Sequence, residues 1–159
     1  MRIDTRMDID EYFTKMVRLA SLRGACIRRK TGCILVNDRN HVIATGYNGR
    51  SSGVRNCLQD PCGGSEMDSG LGLERCEAIH AEANALLQCP DVFTIKTVYC
   101  TTAPCIHCVK LLTNTSCDRV VFLDTYPHES ESEKLWIKSN PLRLWEHCPE
   151  QLDFIGEQR

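Results

Sequence analysis

The chain has 159 residues, the length of one ordinary domain, and its 42% hydrophobic content is enough to bury a real core. A net charge of −2 argues against a polyanion-binding surface, so nucleic acid is not an expected partner. No apolar run approaches the roughly 18 residues of a membrane span, and residues 1–10 are too acidic and broken for a signal peptide. A single cytoplasmic domain covering residues 1–159, with no membrane partner, is the expectation.

In chain order, Asp8 or Asp10 can cap a first helix whose apolar positions Ile9, Phe13, Met16, Val17 and Ala20 follow helical spacing; it should end near Gly24. Gly32–Val36 reads as a buried strand, residues 37–40 as a turn, and residues 41–47 as the second arm of a hairpin. From Asn48 to about Arg75 the pattern dissolves into Gly, Ser, Asn, Asp and Pro. An irregular loop of that length is uncommon unless it is functional or pinned by something. A helix carrying His80 and Glu82 runs to about Gln88 and is closed by Pro90. Residues 94–102 predict a third strand that ends at a helix over 105–114, and residues 119–123 a fourth strand. Residues 129–138 form a polar helix halted by Asn140-Pro141, Leu142, Leu144 and Trp145 fall in a last helix or turn, and residues 152–155 read as a short closing strand. Strands alternating with helices after an opening hairpin imply a three-layer α/β/α fold on a mixed sheet of about five strands.

Two short runs carry chemistry: His80-Ala81-Glu82 and Pro104-Cys105-Ile106-His107-Cys108. At the start of a helix, Cys105 and Cys108 share one face of the first turn, at the positive end of the dipole, which favours thiolates. With the His80 imidazole they make three protein ligands of a tetrahedral zinc ion and leave the fourth position to water. Glu82 follows the histidine closely enough to point at that water without binding metal. His107, between the two cysteines, should face elsewhere. A lone Cys-x-x-Cys fits a redox pair or half a structural site equally well. Pro104 and the upstream His-x-Glu make the joint pattern specific. It is the established signature of zinc-dependent nucleobase deaminases.

Eleven cysteines without a secretion signal suggest metal ligation and buried thiols, not a disulfide framework. Cys33, Cys89, Cys100 and Cys117 lie in or beside apolar segments and read as small core residues. Cys26, Cys57, Cys62 and Cys76 could close a second, structural zinc site that clamps the long loop. The alternative is four unrelated thiols in a reducing cell, and Cys57-x4-Cys62 is looser than the Cys-x2-Cys of a zinc ribbon. His128 and His147 read as surface histidines.

From about Asp10 to Tyr126 the chain resembles the cytidine-deaminase-like superfamily, and within it the deoxycytidylate deaminases. The likeness rests on Ala44-Thr45-Gly46-Tyr47-Asn48-Gly49, on the run from His80 to Ala85, on Thr102-Ala103-Pro104-Cys105-Ile106-His107-Cys108, and on the Cys-rich insert before the histidine. The resemblance implies hydrolytic deamination of dCMP to dUMP and ammonia by zinc-activated hydroxide, feeding dTMP synthesis, with Glu82 as the proton shuttle. It further implies that Asn48 hydrogen-bonds the sugar, that the Thr102-Ala103 backbone meets the base, and that some members hold an extra structural zinc. A homo-oligomer, often a hexamer, regulated by dCTP and dTTP is implied in the same way. The chain differs from the family pattern at Arg50-Ser51-Ser52-Gly53, where a Pro is frequent, and at Ala103, where Ser is frequent. For the 5′-phosphate the nearby cations Arg28, Arg29, Lys30 and Arg50 are candidates.

Rival readings share part of this pattern. A tRNA adenosine deaminase would have the same motif but should show a basic, aromatic face. Free cytidine or guanine deaminases would ignore the 5′-phosphate. A non-catalytic zinc-stabilised binding module would have no use for Glu82, and a thiol–disulfide oxidoreductase would bind no stoichiometric zinc.

Overall fold

The computed structural model describes residues 1–68 and 71–149. Its centre is a five-stranded sheet in the order β2-β1-β3-β4-β5. The strands are β1 (Gly32–Val36), β2 (Val42–Tyr47), β3 (Thr97–Thr102), β4 (Arg119–Asp124) and β5 (Leu144–His147). β1 pairs antiparallel with both β2 and β3, while β3–β4 and β4–β5 are parallel. The hairpin turn between β1 and β2 places Asn40 in the left-handed region at φ 59°, which asparagine tolerates well.

Helices cover both faces, which is why β1 is buried at every position instead of alternating. On one face lies α1 (Ile9–Ser21), whose Phe13 and Val17 meet Ile34, Val36, Tyr99, Val121 and Leu123. Asp8 caps this helix by accepting from the backbone N–H of Asp10 and Glu11. Ile9, in register with the apolar positions, stays on the solvent side. On the other face lie α2 (Ala81–Gln88), α3 (Ile106–Leu112) and α4 (Glu129–Ser139), over a core that includes Cys33, Leu35, Ala85, Val98, Cys100, Val109, Val120, Phe122 and Trp136. The result is the expected three-layer α/β/α arrangement. Among the described residues no helix is long and apolar enough to cross a membrane.

One glycine brings the layers to the site. A Cβ on Gly46 would lie 2.3 Å from Ala81 O and 2.5 Å from Ala85 N, so α2 presses its backbone onto β2 only because position 46 has no side chain. The Asn84 amide then donates to Tyr47 O at 2.8 Å and fixes the helix along the strand.

The elements differ from expectation in three places. Residues 92–94 form a short 3-10 turn before β3, because the Asp91 carboxylate caps Phe93 N–H, and the strand begins only at Thr97. Leu144 and Trp145, expected in a helix or turn, belong to β5 instead. Backbone pairing with β4, Trp145 against Phe122 at 5.4 Å between ring centroids, and a bond from Trp136 Nε1 to Leu144 O hold them extended. β5 is therefore the fifth strand; the closing strand expected at residues 152–155 lies outside the described residues. Third, α2 and α3 each begin one residue later than expected, so that His80 and Cys105 are N-caps and not helical residues.

Candidate active site

The N-termini of α2 and α3 converge beside the C-terminal ends of β3 and β4. His80 and Cys105 occupy the two cap positions, with Glu82 and Cys108 in the first turns that follow. Neither helix has a side-chain cap bond at its N-terminus, and the first-turn N–H groups put positive potential where these anionic side chains gather.

Both cysteine sulfurs lie 3.4 Å from His80 Nδ1. Zn–N of about 2.0–2.1 Å and Zn–S of about 2.3 Å at a tetrahedral angle separate N from S by about 3.6 Å, so this triangle suits a zinc ion. Among the described residues it is the only set of three or more His, Cys, Asp or Glu donor atoms lying within 4.8 Å of one another. The neighbouring Cys108 holds the Cys105 thiol down, while Cys105, burial and the Glu82 carboxylate push the Cys108 thiol up. The Cys105 sulfur in turn pushes the His80 imidazole up. A divalent cation held by these three residues would favour both cysteines as thiolates.

Glu82 is 7% exposed and its Oε2 accepts from Cys108 Sγ at 3.3 Å. Burial pushes its carboxyl up. A buried carboxylate beside the candidate metal ligands, with no ion-pair partner within 4.0 Å among the described residues, is equipped to take and return protons. His107 faces solvent.

Asn48, Thr102 and Ala103 line the same cavity as His80, Glu82 and Cys105. The Asn48 amide is already partly engaged: Oδ1 accepts from Thr31 N at 2.9 Å and Nδ2 donates to Arg29 O at 2.8 Å. An amide has one further donor and one further lone pair, which remain for a ligand. Ala103 N–H donates to Asp124 O at 2.9 Å, tying the base of the cavity to β4.

The four candidate phosphate cations separate. Arg28 and Arg29 line the cavity, and Arg29 is exposed. Lys30 is exposed and outside the lining. Arg50 is turned into the loop: Nη1 donates to Arg55 O at 3.0 Å and Asp60 O at 2.8 Å, and Nη2 pairs with Glu77.

Of the second cysteine set, Cys26 and Cys76 stand in the cavity wall. Cys62 N–H donates to Cys57 Sγ at 3.2 Å. Backbone N–H groups of Glu77 and Gly64 hold the Cys62 thiol down, while burial pushes Cys57 and Cys76 up. Tyr126 also lines the cavity, and sequence reasoning gave it no role. Its place just past the C-terminal end of a parallel strand, where open α/β sheets bind ligands, is the signal that could have found it.

The family model for the cytidine and deoxycytidylate deaminase zinc-binding region matches residues 7–124. The deoxycytidylate deaminase of Mycobacterium phage D29 is 41% identical over 132 residues, covering 79% of this chain and 99% of the phage protein. That of Schizosaccharomyces pombe is 36% identical over 144 residues, covering 88% of this chain, and that of Saccharomyces cerevisiae 37% identical over 128 residues, covering 79%. This chain spans 44% and 41% of the length of those two yeast proteins. In fold it is similar to the dCMP deaminase of cyanophage S-TIM5 solved with dCMP and dUMP, with a TM-score of 0.69 at 22% identity over 90% of this chain and 99% of that one. The match over residues 7–124 and the identity to the phage relative along nearly its whole length place this chain in the cytidine and deoxycytidylate deaminase family.

Proposed function

We propose that the chain is a zinc-dependent hydrolase that deaminates dCMP to dUMP and ammonia. The observation that carries this is the His80, Cys105, Cys108 triangle at tetrahedral spacing with the buried Glu82 carboxylate against it. The names of the phage and yeast relatives, and the nucleotides in the cyanophage complex, support the choice of substrate.

His80, Cys105 and Cys108 are the residues that would hold the ion; when bound there, zinc lowers the pKa of water and acts as a Lewis acid. Glu82 accepts a proton from the attacking water and passes it to ring N3, which makes C4 electrophilic. It then carries the second proton to the amine at C4. The C4–N bond breaks, ammonia leaves, and the water oxygen stays as the C4 carbonyl of dUMP. The unused donor and lone pair of Asn48 bind the sugar, and the Thr102-Ala103 backbone meets the base edge. Arg29, whose guanidinium has no partner among the described residues, is the candidate for the 5′-phosphate. Lys30 and Arg50 are weaker candidates, since neither lines the cavity.

A structural ion on Cys26, Cys57, Cys62 and Cys76 is a second proposal. Electrostatic coupling of Cys57 to Cys62 and Cys26, and of Cys76 to Cys26 and Cys62, supports it. Against it, the four sulfurs are not gathered within 4.8 Å in this conformation. A homo-oligomer with dCTP and dTTP as effectors is carried over from the family. A cytoplasmic location suits the free state of every cysteine.

The test is ammonia release by zinc-loaded protein offered dCMP, deoxycytidine, 5-methyl-dCMP and an adenosine-bearing tRNA hairpin, with and without dCTP. Turnover of dCMP over deoxycytidine is expected. Turnover of the hairpin alone would reassign the substrate, and silence on all four with zinc bound would overturn the reading. Metal analysis of Cys57→Ser tests the second ion: it should lose one of two zinc ions.

A further inference from the structure

The candidate metal ligands are reached from two sides. The cavity already described, of about 120 Å³, meets His80, Cys105 and Glu82. A second cavity, of about 250 Å³, meets His80 and Cys108 between α2 and α3. Ala83 of α2 and His107 and Leu111 of α3 form its sides. Cys76, Ala78 and His80 line both cavities and so stand between them. His107 is exposed and Leu111 is half exposed, so the second cavity is open to solvent along α3.

The two cavities differ in charge. Arg28 and Arg29 stand in the first, where like charge opposes a dication on its way to the triangle. No Lys, Arg, Asp or Glu lines the second among the described residues. What the second offers is donor atoms suited to zinc: the His107 imidazole at the mouth, then His80 and Cys108. Its volume takes several waters at ~30 Å³ each, so an ion can enter it partly hydrated. His107 is not a fourth ligand, because it lies outside the set of donor atoms within 4.8 Å of one another. It stands before the site and not in it.

We infer that the second cavity is the route by which zinc enters and leaves the triangle, with the His107 imidazole as the transient ligand at its mouth. The inference rests on the zinc-dependent reading of the site and deepens it. Along this route a water ligand of the entering ion is exchanged for a His107 ring nitrogen. His107 is then exchanged for His80 and Cys108, and Cys105 completes the set. The displaced thiol protons pass to bulk water, and no electrons move. Metal and substrate thus use separate doors.

The test follows replacement of bound zinc by isotopically enriched zinc in the full, zinc-loaded chain, read by mass spectrometry. The phase missing from Cys108→Ser is the one that reports the triangle. His107→Ala removes the donor, Leu111→Trp fills the cavity, and His107→Cys restores a zinc donor at the same place. These are exposed positions, so fold, zinc content and ammonia release from dCMP should stay at the parent level. Exchange should slow about tenfold in His107→Ala and in Leu111→Trp, and return to within about threefold of the parent in His107→Cys. Parent-like exchange in both His107→Ala and Leu111→Trp would overturn the inference. So would a slow rate in His107→Ala that His107→Cys does not restore, or exchange that quickens in Arg29→Gln alone, which would assign entry to the first cavity. A parent that holds no zinc fails the deaminase reading itself and takes the inference with it. A zinc-holding parent whose variants all exchange at one rate fails the inference alone.

Discussion

Gly49 and Ile79 exchange both backbone hydrogen bonds, Gly49 N–H to Ile79 O at 3.1 Å and Ile79 N–H to Gly49 O at 2.7 Å. This isolated bridge closes the stem of the Cys-rich loop. It also sets Asn48 beside His80, so that the amide that follows β2 and the imidazole that caps α2 face one cavity. The loop is therefore an excursion from a fixed stem and can vary without moving the metal triangle. Gly49→Pro removes the N–H of one of the two bonds. It should cost about 1–3 kcal/mol in urea unfolding and speed zinc loss to a chelator. Unchanged zinc retention would show that the stem does not position His80.

Glu82→Gln preserves the shape of the side chain and removes its capacity to carry a proton. The triangle of His80, Cys105 and Cys108 does not include it, so zinc content should stay at the parent level. Ammonia release should drop by about 10²–10⁴-fold, the usual worth of a positioned proton carrier. Turnover near the parent rate would remove Glu82 from the mechanism.

How much of this was legible in the sequence follows from the range over which each feature is encoded. Cys105 and Cys108 are three positions apart and His80 and Glu82 two, each pair spanning an N-cap and the first turn after it, so both pairs are encoded at short range; their convergence needs only that both helices start at the same end of the sheet. β5 is encoded at long range. Leu144 to His147 alternate weakly, the strand is half exposed at an edge, and it is extended only because β4 and the Trp136 indole lie beside it. The arginines were legible as charges but not as roles. Arg28 and Arg50 bind backbone carbonyls of a loop without periodicity, and no side-chain pattern announces such partners.

Gly46→Ala tests the contact that sets α2 against the sheet. The added methyl would stand 2.3 Å from Ala81 O and 2.5 Å from Ala85 N, both backbone atoms that cannot rotate away. The helix must then shift, and His80 and Glu82 shift with it. A destabilisation of about 1–3 kcal/mol is expected from overpacking. Activity should fall by more than the folded fraction accounts for. Loss of stability alone, with specific activity intact in the folded protein, would mean that the site tolerates movement of its helix.

The acid limb of stability should depend on Asp10. Arg119 donates to both of its oxygens, at 2.8 and 2.7 Å, and Tyr99 Oη donates to Oδ1 at 2.7 Å. The Arg119 guanidinium, and after it the Tyr99 hydroxyl, hold the Asp10 carboxyl below the usual carboxylate range against the opposing effect of burial. A folded-state pKa below the unfolded one means that the unfolded chain binds the proton more readily. The stabilisation is therefore fully present above the unfolded pKa of about 3.9 and is lost as pH falls through the folded value. Asp10→Asn should cost about 2 kcal/mol at neutral pH, because it leaves Arg119 with Glu146 as its one carboxylate among the described residues. It should also flatten the decline of urea stability as pH falls below about 4. A parallel decline in parent and variant would assign the acid transition to other carboxylates. Arg119 would then serve only to tie α1 to β4 and β5.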